Sequence, residues 1–93
     1  MNVVDFIPTG KENRISFRLL QEATALHSQA ELRRAINRAR RDGEPICNDG
    51  DGYYRAESPG DLDRSIKRYN SRISKQIAAK KGLEKAKRKM EAT

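Results

Sequence analysis

The sequence predicts a mainly α-helical protein with one small β-hairpin and a long C-terminal helix. Three observations carry that expectation. Apolar residues recur at helical spacing in two short segments between residues 16 and 42. A turn-forming cluster, Asp49-Gly50-Asp51-Gly52, separates two short β-favouring runs. From Ser58 onward, apolar residues again return every three or four positions.

The elements follow in order along the chain. Val3-Val4-Asp5-Phe6-Ile7 is a short apolar helix or strand, stopped by Pro8-Thr9-Gly10. Ser16 is placed to cap a helix of about two turns over residues 17–23, with Leu19, Leu20 and Ala23 on one face. Ala25-Leu26-His27 interrupts the pattern. Alanine stands at Ala25, where a tight interhelical turn commonly uses glycine, and a left-handed alanine costs on the order of 1 kcal/mol. Ser28 followed by Glu31 has the spacing of a capping box, so a second helix runs from about 29 to 42. Its inward stripe is Leu32, Ala35, Ile36 and Ala39, and Gly43 ends it in the left-handed conformation.

Pro45-Ile46-Cys47-Asn48 and Tyr53-Tyr54-Arg55-Ala56 form the hairpin around the Asp-Gly cluster. Strand alternation sends Tyr53 and Tyr54 to opposite faces, one into the core and the other toward a partner. Ser58-Pro59-Gly60-Asp61 combines an N-cap serine, a proline at the first helical position and an acid at the positive helix end. In the helix that begins there, Leu62, Ile66, Tyr69, Ile73 and Ile77 make an apolar seam. The heptad continues through Gln76, Leu83 and Met90, with Lys80 and Lys87 between them. Gly82 and the density of lysine weaken the stripe, so residues 80–93 are expected as a frayed or solvated extension. The division is a head over residues 1–58 and a basic helix over 59–93.

Composition limits the function classes. With 35% of the 93 residues apolar and another 35% charged, the core must be small, which argues against an enclosed substrate pocket. The net charge of +7 favours a polyanionic partner. Residues 1–60 carry nine basic and nine acidic side chains, whereas residues 61–93 carry eleven basic and four acidic ones. The whole excess lies in the last helix. The single cysteine, Cys47, permits no intrachain disulfide, and the chain holds no stretch of the roughly 18 apolar residues required to cross a bilayer. A cytoplasmic protein without a membrane anchor is expected. No cofactor or metal is expected either: His27 has no second histidine and is read as a polar turn residue, and Cys47 as a small packing residue. No catalytic constellation stands out, and the chain is not read as an enzyme.

Two helices joined by a short turn and followed at once by a hairpin is the order of a winged helix-turn-helix, whose second helix enters the DNA major groove. The run Ala39-Arg40-Arg41-Asp42-Gly43-Glu44-Pro45-Ile46 leading to Gly52-Tyr53 resembles the N-terminal winged helix of biotin-repressor-type regulators, with the likeness extending from Ser16 to Ala56. The resemblance implies DNA binding. It does not extend to that family's ligase domain. Small proteins of bacteriophages and integrated elements look similar, which suggests a mobile-element origin.

The helix over 29–42 supplies the chemistry such a role needs. With Leu32, Ala35, Ile36 and Ala39 inward, Ala30, Arg33, Arg34, Asn37 and Arg41 point outward. Arginine can bond guanine and asparagine adenine in a bidentate manner, and a small residue allows close approach to the groove floor. Ser28, Gln29, Arg38 and, from the wing, Arg55 complete the expected DNA-contacting set. Asp49 and Asp51 at the wing tip would repel phosphate, so the wing is not expected along the DNA backbone.

The basic helix admits three roles: a dimerising coiled coil, a phosphate-tracking arm and a membrane-surface helix. Its apolar positions include no Trp or Phe, which disfavours the membrane. The preferred expectation is a homodimer through Leu62, Ile66, Tyr69, Ile73 and Ile77, with the rival that the first three pack back on the head. Double-stranded DNA is the expected partner, and the protein a transcriptional regulator or a replication or excision factor. The alternative is a protein-interaction winged helix whose basic helix docks on an acidic partner.

Overall fold

The computed structural model describes residues 2–92, and Thr93, the last residue of the expected extension, lies outside them. The chain is mainly helical with a two-stranded antiparallel hairpin and a long C-terminal helix. It opens with a 3-10 turn, Val3–Phe6, whose first free amide, that of Val4, donates to the Asn2 side chain. This turn buries Val3 and Val4 and packs on both helices that follow. A second 3-10 turn covers Lys11–Asn13.

Helix α1 spans Phe17–Thr24, and the Ser16 hydroxyl accepts from the Leu19 amide at 3.2 Å. Its buried face is narrower than the sequence suggests. Leu20 is fully buried, whereas Leu19 is 55% exposed and Ala23 also faces solvent. Phe17, Leu20 and Thr24 set the inward direction, which rotates Leu19 and Ala23 away from the core.

Helix α2 spans Gln29–Arg41. The Ser28 hydroxyl accepts from the Glu31 amide at 3.2 Å, while the Glu31 carboxylate accepts from the His27 amide at 3.0 Å. The expected reciprocal cap therefore forms, with its second bond one residue earlier than in the standard box. At the other end Gly43 takes φ +94°. The amide of Glu44 reaches the Ala39 carbonyl and that of Gly43 the Arg40 carbonyl, the two bonds of a Schellman stop. Between α1 and α2, Ala25 is left-handed at φ 57°, ψ 24°.

The hairpin consists of β1, Ile46–Asn48, and β2, Tyr53–Arg55, with Cys47 opposite Tyr54. The sequence offers no sign that β2 is bonded on its outer edge as well. There Tyr53 and Ile15 exchange amide bonds of 2.8 and 2.9 Å, and Arg55 bonds to Pro8 and Gly10. Gly52 makes the approach possible, since a Cβ there would lie 2.6 Å from the Ile15 carbonyl oxygen.

The core gathers Val3, Val4, Ile7, Leu20, Leu32, Ile36, Ala39, Ile46 and Tyr53, with Phe6, Ile15, Phe17, Leu26 and Ala35 packed around them. The expectation that one tyrosine of the pair faces outward is corrected: Tyr53 and Tyr54 are both buried. The reason lies on the second face of the hairpin. Cys47 is fully buried there, and its thiol lies 3.8 Å from the Asp61 carbonyl in the first turn of the last helix.

Helix α3 spans Pro59–Glu91 without interruption at Gly82. The Asp61 carboxylate accepts from the Glu57 amide at 3.0 Å, the same backward cap as at the start of α2. Residues up to Asp63 form one compact unit and those from Arg64 a second. In the second unit every described residue from Ile66 onward is exposed, and the helix stays regular as far as Glu91. No helix among the described residues is long and apolar enough to cross a membrane.

Candidate nucleic-acid interface

The caps of α2 fix its length, and its buried stripe fixes its rotation. With Leu32, Ile36 and Ala39 inside, the side chains of Gln29, Ala30, Arg33, Arg34, Asn37, Arg38 and Arg41 are all exposed. Glu31 is the one acid within the helix, and its carboxylate is held at the first turn by the His27 amide. From Leu32 to Arg41 the surface is therefore cationic and amide-bearing, without a carboxylate.

Individual members differ in what already engages them. The Arg33 guanidinium lies 5.3 Å from the centre of the Phe17 ring, which braces α2 against the first turn of α1. Arg40 is half-buried and donates from Nε to the Ile46 carbonyl at 3.0 Å, tying the end of α2 to β1. Ser28 is half-buried and serves as the N-cap. Arg55 stands on β2, where its Nε donates to the Ile7 carbonyl at 2.9 Å. Arg34, Asn37, Arg38 and Arg41 are the exposed remainder along the outer side of α2.

The hairpin tip is electrostatically different from its sequence. Arg14 Nε lies 3.3 Å from the Asp49 carboxylate, and a terminal nitrogen of the same guanidinium lies 3.9 Å from that of Asp51. Asp49 also accepts from the amides of Asp51 and Gly52 at 3.0 and 3.1 Å, closing the turn. Partial burial by itself would raise the Asp49 pKa. The Asp51 amide, Arg14, the Gly52 amide and Lys11 together outweigh it and hold the carboxyl below its ordinary value of 3.8. The acids at the tip thus carry their own counter-cation. No local pattern could have announced Arg14, because the pairing joins segments on either side of both helices.

The expected pairing residues fall into two groups. Leu62 is half-buried in the first unit. In the second, Ile66, Tyr69, Ile73 and Ile77 are 40–55% exposed, and Arg72 stacks 5.6 Å from the Tyr69 ring. The described residues contain no group of His, Cys, Asp and Glu able to hold a metal ion.

Comparison with known proteins finds no matching family model, curated relative or solved structure. An acid-free helical face of arginines with one asparagine, on an element held at both ends, can bond phosphate oxygens and base edges together.

Proposed function

We propose that this chain is a sequence-specific double-stranded DNA-binding protein of the winged helix-turn-helix kind, with α2 entering the major groove. It acts in the cytoplasm, as a transcriptional regulator or as a replication or excision factor of a mobile element, and binds as a homodimer paired along α3. The observation that carries the reading is the exposed, carboxylate-free face of α2, on which Arg34 and Asn37 stand beside Arg33, Arg38 and Arg41. Arg34 and Asn37 are the residues suited to bidentate contact with guanine and adenine, while Arg38 and Arg41 are suited to phosphate.

The experiment is selection of preferred duplexes from a random pool, followed by binding measurements on an Arg34→Ala, Asn37→Ala double variant at fixed salt. Each lost bidentate contact costs about 1–3 kcal/mol, so affinity for the selected duplex falls by at least tenfold and its preference over random DNA collapses. Both side chains are exposed, so the far-UV circular dichroism and melting temperature stay unchanged. Retained affinity and preference would refute the assignment and favour the protein-docking alternative.

A further inference from the structure

We propose that Phe17 is a positioning residue for DNA contact: its ring holds the Arg33 guanidinium as a preset clamp for a backbone phosphate on one wall of the major groove. This rests on the reading of α2 as the groove-entering helix, and it assigns Arg33 a ligand and Phe17 a role.

The arginines that tie this head together are recognisable by their bonds. Arg40 and Arg55 are half-buried, and each donates from Nε to a backbone carbonyl, that of Ile46 and that of Ile7 respectively. Arg33 is different. It is exposed, its guanidinium lies over the Phe17 ring at 5.3 Å from the centre, and among the described residues no hydrogen bond or ion pair engages it. An aromatic face attracts and restrains a cation without using any of its N–H donors. The donors of Arg33 are thus left for a ligand while the group itself is held.

The platform beneath it is anchored in turn. Phe17 is the first residue of α1, directly after the Ser16 cap, and packs on the core. Its ring lies 6.0 Å from that of Tyr53, which is buried and exchanges amide bonds with Ile15.

The direction of Arg33 on α2 selects its ligand. At about 100° per residue, Ala30, Arg34 and Asn37 lie within an arc of roughly 60° opposite Leu32 and Ile36, with Arg33 and Arg38 about 70° to either side of its centre. A helix seated in the major groove turns its outermost face to the base edges and its flanks to the two sugar–phosphate strands. Arg33 occupies the flank beside α1, so phosphate is its ligand. An arginine restrained before encounter loses less side-chain freedom on binding, which is the advantage the Phe17 ring confers.

The test is a double-mutant cycle of Phe17→Leu and Arg33→Gln in the full chain. Binding is measured on the selected duplex and on a mixed-sequence duplex of equal length, over a series of salt concentrations. Circular dichroism verifies that each variant is folded at the assay temperature, and Phe17→Met replaces Phe17→Leu if the latter is not. Arg33→Gln weakens binding to both duplexes by a similar factor and keeps the preference between them. Its slope of log affinity against log salt is shallower by about 0.9, the value for one phosphate contact. Phe17→Leu retains the charge, so slope and preference stay unchanged while affinity for both duplexes falls by about two- to tenfold, as when one long side chain is ordered only on binding. Added to Arg33→Gln, Phe17→Leu has no further effect, and Phe17→Tyr, which keeps a ring, binds as the wild type does. A merely structural Phe17 would weaken binding equally in both backgrounds, and that result would overturn the proposal. So would an unchanged slope or a collapsed preference in Arg33→Gln. Failure of the α2 assignment shows separately, as retained preference in the Arg34→Ala, Asn37→Ala variant, and a wild type without duplex affinity refutes both readings.

Discussion

Replacing Ala25 with glycine should stabilise the protein. Ala25 sits at φ 57°, ψ 24°, the one non-glycine residue with positive φ among those described, and its amide donates to the Glu22 carbonyl at 3.3 Å. An L-residue in that conformation costs about 1–2 kcal/mol because its Cβ crowds the backbone. Glycine removes the crowding but gives the unfolded chain more freedom, which takes back about 0.4–1 kcal/mol. The Ala25 side chain is exposed, so no packing is lost. The net gain is about 0.5–1 kcal/mol, which for a chain of this size raises the melting temperature by roughly 2–8 °C. Thermal denaturation followed at 222 nm measures it, with Ala25→Val as a control that should melt lower. A glycine variant that melts at or below the wild type would show that Ala25 is unstrained, and the helix–turn–helix geometry would have to be redrawn.

Gly52→Ala should act in the opposite direction, because its Cβ would meet the Ile15 carbonyl at 2.6 Å; overpacking of this kind costs about 1–3 kcal/mol, and a variant of wild-type stability in urea would contradict the close approach. Asp49→Asn keeps the turn's acceptor but loses the charge facing Arg14. Since folding lowers the Asp49 pKa, its charge stabilises the protein fully above the ordinary carboxylate range, and that stability is lost as pH falls below that range through the lowered folded value, so the gap between wild type and variant should be widest near neutrality and shrink steadily in acid. A constant gap across that range would dismiss the ion pair. For the proposed dimer, Ile73→Lys with Ile77→Lys should give a folded monomer in sedimentation equilibrium, whereas a wild type already monomeric at tens of micromolar sinks the pairing.

The helices and strands were legible because their boundaries are local. Ser16, Ser28 and Gly43 act through residues within a turn of themselves, and the Asp49-Gly50 corner closes on its own side chain. The outward face of α2 was legible for the same reason, since Leu32, Ile36 and Ala39 define the inside. The contacts that escaped join distant segments. Nothing near Arg14 indicates Asp49, nothing near Phe17 indicates the guanidinium of Arg33, and Tyr54 is buried because the start of α3 returns to the back of the hairpin. Periodicity also overstates the inner face of α1, because Leu19 has the spacing of a core residue yet is exposed, while Leu20 and Phe17 pack on the core.

The bonds on the outer edge of β2 have a consequence for how the chain can fold and be handled. Arg55 reaches Ile7 across 48 positions of sequence, so the opening residues close a loop around both short helices and complete the sheet. Such a closure carries an entropy cost that only late, non-local contacts repay, which makes docking of the first fifteen residues a candidate slow step in folding. Until it occurs, β2 presents an unpaired edge able to recruit another extended chain. Trimming the N-terminus, or straining it with a fusion, would leave that edge open and favour aggregation even with every residue of α2 and α3 intact.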